Sequence, residues 1–209
     1  MDNRQLIHDL LSIGAVKIET EDFFTWTSGI KSPIYCDNRL TMSYPEIRKK
    51  IIAAFIEKIE ELGEEVDVIA GCATAGIPHA AWIAEKLELP MVYVRASAKK
   101  HGKGNQIEGR IRKGQKAVVI EDLISTGKSS IQAAEALQKE GVEVLEVLSI
   151  FTYGLHKADE AFKEAGLSYR SITSYENLLN ALVDAERMNE EERRLMAEWR
   201  QDPYIFTQT

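Results

Sequence analysis

The chain has 209 residues, with 26 Lys and Arg against 33 Asp and Glu, so its formal charge is −7, and its 44% hydrophobic share suits a single globular domain. The acidic balance argues against a general nucleic-acid binder, and no apolar run approaches the ~18 residues of a membrane-spanning helix. The early acids of the N-terminus argue against a secretory signal, and two cysteines without metal spacing, Cys36 and Cys72, imply reduced thiols in a cytoplasm.

In chain order, Leu6, Ile7, Leu10 and Leu11 recur at helical spacing and predict a short amphipathic helix. Residues 23–36 read as two short strands around Ser28-Gly29, with Lys31-Ser32-Pro33 beside the turn. Ser43 and Glu46 fit a helix-start capping pair, with Pro45 in the first turn. Ile47, Ile51, Phe55, Ile59 and Leu62 then share one helical face, and Gly63 fits the stop.

From there strands and helices alternate. Residues 66–70 (VDVIA) form a strand that runs into 71–76 (GCATAG), then a helix through Leu87, then a strand at 91–94 (MVYV). Residues 96–109 have almost no apolar content and predict a mobile loop. Residues 117–120 (AVVI) form a strand ending in Glu121-Asp122, 123–127 a turn, and 128–140 a helix closed by Gly141. A strand at 144–150, a helix at 156–165 and a short strand at 167–170 follow. Residues 175–200 read as helical, with Leu178, Leu179, Leu182 and Val183 on one face and Leu195 and Trp199 beyond, packed against the N-terminal segment. The alternation implies an α/β fold: a mostly parallel central sheet flanked by helices, with right-handed crossovers gathering the loops at one edge. Ligands bind at that carboxyl edge.

The most informative segment is 118–130, VVIEDLISTGKSS. A strand delivers two carboxylates, then a small-residue turn, then a helix whose backbone N–H groups point into the turn. That is a cradle for phosphate. Two acids beside it make sense when the ligand also carries a sugar diol or a hydrated Mg2+. The Gly127-Lys128-Ser129 run mimics the end of a nucleotide-binding P-loop, but that motif needs a glycine where this chain has Asp122. Residues 95–104 concentrate cations and glycines in an acidic protein, which suits a lid closing over a polyanion. Gly102 and Gly104 do not complete a dinucleotide fingerprint, whose third glycine falls at Ile107. The small residues of 71–76 let backbone approach a ligand. His8, His79 and His156 share no metal spacing and read as surface or satisfied core residues.

On these residues the chain resembles the type I phosphoribosyltransferases. VVIEDLISTGKSS looks like the family's motif for phosphoribosyl pyrophosphate (PRPP). Three further stretches resemble the orotate-specific branch: FFTWTSGIKSPIYCDNR, RASAKKHGKGNQIEG, and YENLLNALV with EWRQDP near the end. The resemblance spans nearly the whole chain, as one domain with an N-terminal hood over 1–40, a core over 60–170 and C-terminal helices over 171–209. It implies transfer of phosphoribosyl from PRPP to orotate, giving orotidine 5′-monophosphate and pyrophosphate, with Mg2+ held mainly by PRPP and not directly by the chain. It implies that Glu121 and Asp122 hold the ribose hydroxyls. Leu123, Ile124, Ser125, Thr126, Gly127, Lys128 and Ser129 then surround the 5-phosphate, and Thr74 and Ala75 lie at the pyrophosphate turn. Lys99 and His101 reach the pyrophosphate from the neighbouring subunit of a homodimer, and Arg95 anchors their loop. Lys99, His101 and Asp122 are the implied catalytic set, and Ser125, Lys31, Ile34 and Tyr35 the implied orotate contacts. Neither a membrane nor a nucleic acid is an implied partner. The chain departs from many relatives at Thr27, Ala75 and Ala96, where they carry basic residues, and at Tyr153-Gly154, where some carry an arginine. A transferase for another base shares the PRPP motif, and a non-catalytic PRPP sensor would keep the cradle without the lid cations.

Overall fold

The computed structural model describes residues 3–19, 23–25, 31–97 and 106–203. Helix α1 (Asn3–Ser12) buries Leu6, Ile7 and Leu10, as their spacing predicts. Four short strands follow: β1 (Val16–Ile18), β2 (Phe24–Thr25), β3 (Lys31–Ser32) and β4 (Ile34–Cys36). β2 pairs antiparallel with β3, and β4 pairs with β1, which the sequence reading had not identified. Pro33 lacks an N–H and divides β3 from β4. The predicted reversal at Ser28-Gly29 lies outside the described residues.

Ser43 does not cap the next helix. Asp37 accepts a hydrogen bond from the Arg39 N–H and starts a tight 3-10 turn, Asn38–Ser43, which takes up Ser43. Helix α2 (Pro45–Glu60) then begins after Tyr44 without a side-chain cap, and Glu46 pairs with Lys49 at 2.9 Å instead. Pro45 does open the helix, and Ile47, Ile51, Phe55 and Ile59 are buried on it.

The remaining elements are β5 (Val68–Cys72), α3 (Gly76–Leu87), β6 (Met91–Val94), β7 (Ile107–Glu108), β8 (Lys116–Ile124), α4 (Lys128–Lys139), β9 (Glu143–Thr152), α5 (His156–Glu164), β10 (Tyr169–Ser174), α6 (Tyr175–Asp184) and α7 (Glu190–Gln201). Six strands form one sheet in the order β10-β9-β8-β5-β6-β7, parallel except for β7. Alternate residues of the central strands feed opposite faces. Ile69, Val118 and Ile120 pack toward the helices α1, α2, α3, α6 and α7, and Val68, Ala70 and Val119 toward α4 and α5.

Four boundaries differ from the sequence reading. β8 runs on through Asp122 to Ile124, because Leu123 and Ile124 pair with Phe151 and Thr152 of a longer β9. β7 forms within the segment read as loop, antiparallel to β6. Leu167 gives its N–H to the Phe162 carbonyl and closes α5, so the last strand starts only at Tyr169. The C-terminal stretch is two helices, because Glu186 turns the chain with φ +55° and Asn189 with Glu192 caps a new start. The expected docking on the N-terminal segment is present: Arg4 meets Asp184 at 2.9 Å, and the Trp199 indole N–H donates to the Lys31 carbonyl at 3.0 Å.

His79 is fully buried against Phe55 and Trp82, and neither ring nitrogen has a hydrogen-bond partner among the described residues. It is therefore not the satisfied core residue the sequence suggests. Burial, aided by nearby Arg48, lowers its pKa to about 4. The unfolded chain binds that proton more tightly, so stability falls as pH drops from the ordinary histidine value of ~6.5 toward 4. His79→Phe should flatten this acid slope, read as the thermal midpoint across that window, with little loss at pH 8.

Candidate active site

β5 leads to β6 on one side and β8 lies on its other side, so the order in which strands are added reverses between the parallel strands β5 and β8. Crevices at the carboxyl ends of such strand pairs bind ligands. Two helices start there. α3 follows the turn 73–75, and α4 follows the turn 125–127, and neither start has a side-chain cap. Both N-termini offer backbone N–H groups and positive dipole ends to anions. Gly76 lets α3 approach β8, since a Cβ there would overlap the Ile120 carbonyl oxygen. Gly71 permits the same closeness between β5 and α3, where a Cβ would sit 3.0 Å from the Ile77 Cα. Gly127 has φ +76°, and a Cβ would reach 2.6 Å from the Phe162 ring. Gly76→Ala should cost about 3 kcal/mol, because both colliding groups are backbone, and should part the two turns. A urea melt reads the first effect, and the affinity for inorganic pyrophosphate the second.

The two acids sit between these turns. Glu121 is only 5% exposed. Its carboxylate accepts from the Ser129 hydroxyl at 3.2 Å, the Ser130 hydroxyl at 3.4 Å and the Asp122 N–H at 3.1 Å. Burial and the neighbouring Asp122 charge push its pKa up, and burial raises Asp122 as well. The Cys72 thiol on β5 lies beside Glu121, and burial holds that thiol protonated. The Asn38 side-chain amide donates to the Asp122 carbonyl at 2.8 Å and accepts from the Cys36 thiol at 3.4 Å. The Tyr153 phenol lies in the field of Cys36 and Asp122, and burial raises its pKa. Asn38, Cys72, Ser130 and Tyr153 were not singled out as site residues. No local pattern marks Asn38, since its partner is 84 residues away.

The other expected site residues distribute as follows. Ser125 and Thr126 are partly exposed in the turn, with Lys128 and Ser129 exposed on the first turn of α4. The Ile124 side chain is buried in the core, and its carbonyl already accepts from the Tyr153 N–H and the Thr152 hydroxyl. Leu123 packs partly buried against the opposite core. Thr74 is exposed and Ala75 half-buried at the turn before α3, where the Ala73–Thr74 peptide is cis. Arg95 follows β6, exchanges hydrogen bonds with Gln106 and pairs with Glu108 at 3.4 Å, so it closes the stem of the basic segment. Lys99 and His101 lie outside the described residues, as does Thr27. Lys31 is exposed on β3, Ile34 is buried in the core, and Tyr35 is 41% exposed with its ring 5.8 Å from Phe24.

This arrangement can hold two anionic groups at two helix starts and a polyol on the acid pair between them. Residues 43–173 match the phosphoribosyl transferase domain family. The chain is 57% identical over 202 residues to an orotate phosphoribosyltransferase of Fusobacterium nucleatum, covering 96% of each. It is 57% identical over 199 residues to that of Oceanobacillus iheyensis, covering 95% of this chain and 98% of the relative. Among solved structures, the orotate phosphoribosyltransferase of Aeropyrum pernix superposes with a TM-score of 0.75 at 30% identity, over 85% of this chain and 98% of that one. The UMP synthase of Leishmania donovani superposes with a TM-score of 0.78 at 25% identity, over 95% of this chain and 43% of that one.

Proposed function

Since the chain belongs to the orotate phosphoribosyltransferases, we propose that it transfers phosphoribosyl from PRPP to orotate, forming orotidine 5′-monophosphate and pyrophosphate for pyrimidine nucleotide synthesis. The observation that carries this is the placement of Glu121 and Asp122 between two uncapped helix starts at the reversal point of the sheet.

In this reading the 5-phosphate sits on Ser125, Thr126, Gly127 and the first turn of α4, where N–H groups and hydroxyls converge. The ribose hydroxyls meet Asp122 and Glu121, and the pyrophosphate lies against Thr74, Ala75 and the start of α3. Orotate lies against the segment 31–36 and Ser125. Cleavage at ribose C1 builds positive charge on the sugar, as in glycoside cleavage. The acid pair below the ring favours that charge, and the crevice excludes water that would hydrolyse the activated sugar. Lys99 meets the charge growing on the leaving pyrophosphate, and His101 donates a hydrogen bond to it, both from the partner subunit of a homodimer. Orotate is already ionised and needs no protein base.

The donor set fits Mg2+ carried in on PRPP. Asp122 is partly exposed at the crevice, whereas the Glu121 carboxylate is engaged by Ser129 and Ser130. Mg2+ held there mainly by PRPP, with Asp122 as the partly exposed carboxylate beside it, would supply neutralisation of charge on the pyrophosphate.

Pyrophosphate release from Mg-PRPP by the purified protein tests the reading. Release that depends on orotate supports it. Release with another base alone, or with none, overturns it.

A further inference from the structure

The final helix reaches the segment that carries base recognition. Trp199 on α7 is fully buried, and its indole N–H donates to the Lys31 carbonyl at 3.0 Å, across 168 residues of chain. The same ring meets Tyr153 edge-on at 6.3 Å and 89°. Tyr153 packs on Phe151 at 5.9 Å, and its phenol bonds the Cys36 backbone. So one indole touches the first residue of β3 directly, and the last residue of β4 through Tyr153. β3 and β4 are two and three residues long, with Pro33 between them. Strands this short have little stability of their own, so their position depends on what holds them from outside.

We infer that Trp199 is a positioning residue for base recognition: α7 holds the 31–36 segment at the carboxyl edge of the sheet through the Trp199–Lys31 hydrogen bond and the Trp199–Tyr153 contact. This rests on the proposed orotate reaction and adds to it that the C-terminal helix is part of the base site. The indole has two links, and the hydrogen bond is the one that ends on the base side: the ring contact runs through Tyr153, which packs on Phe151 of β9 and gives its N–H to the Ile124 carbonyl of β8, and a phenyl ring retains it. Loss of the indole N–H therefore loosens the base side and leaves the PRPP side in place.

Trp199→Phe keeps an aromatic ring and removes the donor. It should raise the KM for orotate about five- to tenfold, the worth of one buried hydrogen bond, with the KM for PRPP within twofold of the parent. Tyr175→Phe is the comparison. The Tyr175 hydroxyl donates to the Met196 carbonyl at 3.2 Å, so this change loosens α6 against α7 without removing the bond to Lys31. It should lower the thermal midpoint and leave both KM values near the parent's. An unchanged orotate KM in Trp199→Phe overturns the inference, as do equal rises in both KM values. Hydrogen exchange on the unaltered protein gives a second reading that survives if Trp199→Phe does not fold. In rising urea the amides of 31–36 and of α7 should open as one unit, and opening of 31–36 at clearly lower urea than α7 overturns the coupling. Absence of orotate-dependent turnover in the unaltered protein would instead remove the proposed reaction, while the exchange result would still stand or fall by itself.

Discussion

Glu121→Gln should yield a protein that is more stable at neutral pH and slower as a catalyst. The Glu121 carboxylate is buried beside Asp122, and both effects favour its neutral form. The native state therefore holds the Glu121 proton more tightly than the unfolded chain does. By linkage, stability is greatest at low pH and falls as pH rises from the ordinary carboxylate range toward neutrality. Glutamine keeps one acceptor oxygen for the Ser129 and Ser130 hydroxyls and has no charge to desolvate, which outweighs the lost bond from the Asp122 N–H. Its thermal midpoint should exceed the parent's at pH 8, by roughly 2–4 °C for each kcal/mol relieved, and the two midpoints should converge near pH 4.5. Turnover should fall by about ten- to a hundredfold, the value of a charge-assisted hydrogen bond to the ribose. A calorimetric pH series and steady-state rates on one preparation read both. A midpoint lower than the parent's at pH 8 would show that the Ser129 and Ser130 bonds outweigh the desolvation of the charge.

Lys99→Ala should cut turnover further, by about a hundred- to a thousandfold, with no change in the thermal midpoint. That is the range for removing one group aimed at charge that develops in the transition state. The chain is acidic, with 33 Asp and Glu to 26 Lys and Arg, yet Lys99, Lys100, His101 and Lys103 fall together in one short run. The Arg95–Gln106 hydrogen bonds close the stem from which that run departs, beside the crevice holding Glu121 and Asp122. If Lys99 acts from the partner subunit, an equal mixture of Lys99→Ala and Glu121→Gln chains should recover up to about a quarter of parental activity, since half the dimers are heterodimers and one of their two sites has both intact residues. Normal turnover in Lys99→Ala alone would remove this lysine from the mechanism.

The balance between Glu121 stability and function explains the packing around it. A carboxylate this buried is tolerated because three donors satisfy it, Ser129, Ser130 and the Asp122 N–H. Cys72 adds a fourth contact from β5. The site thus draws on β5, β8 and α4 together, and Asn38 joins the 3-10 turn after β4 to the same acid pair.

The sequence by itself determined the alternation of strands and helices, and the acid pair followed by a small-residue turn and a helix. These signals are local. Apolar spacing sets which face of an element is buried, and Glu121 to Ser129 are joined by one short piece of backbone. Tertiary structure decided the rest, because its causes lie far apart in the chain. β8 extends past Asp122 only because β9 pairs with it that far, and β1 forms only because β4 arrives beside it. Asn38 reaches Asp122 across 84 residues, and Trp199 reaches Lys31 across 168. The Ser43–Glu46 pair, a sound local pattern, yielded to a tighter turn begun by Asp37. A hydrogen bond between distant residues depends on the path of everything between them, and no spacing within a short window encodes that path.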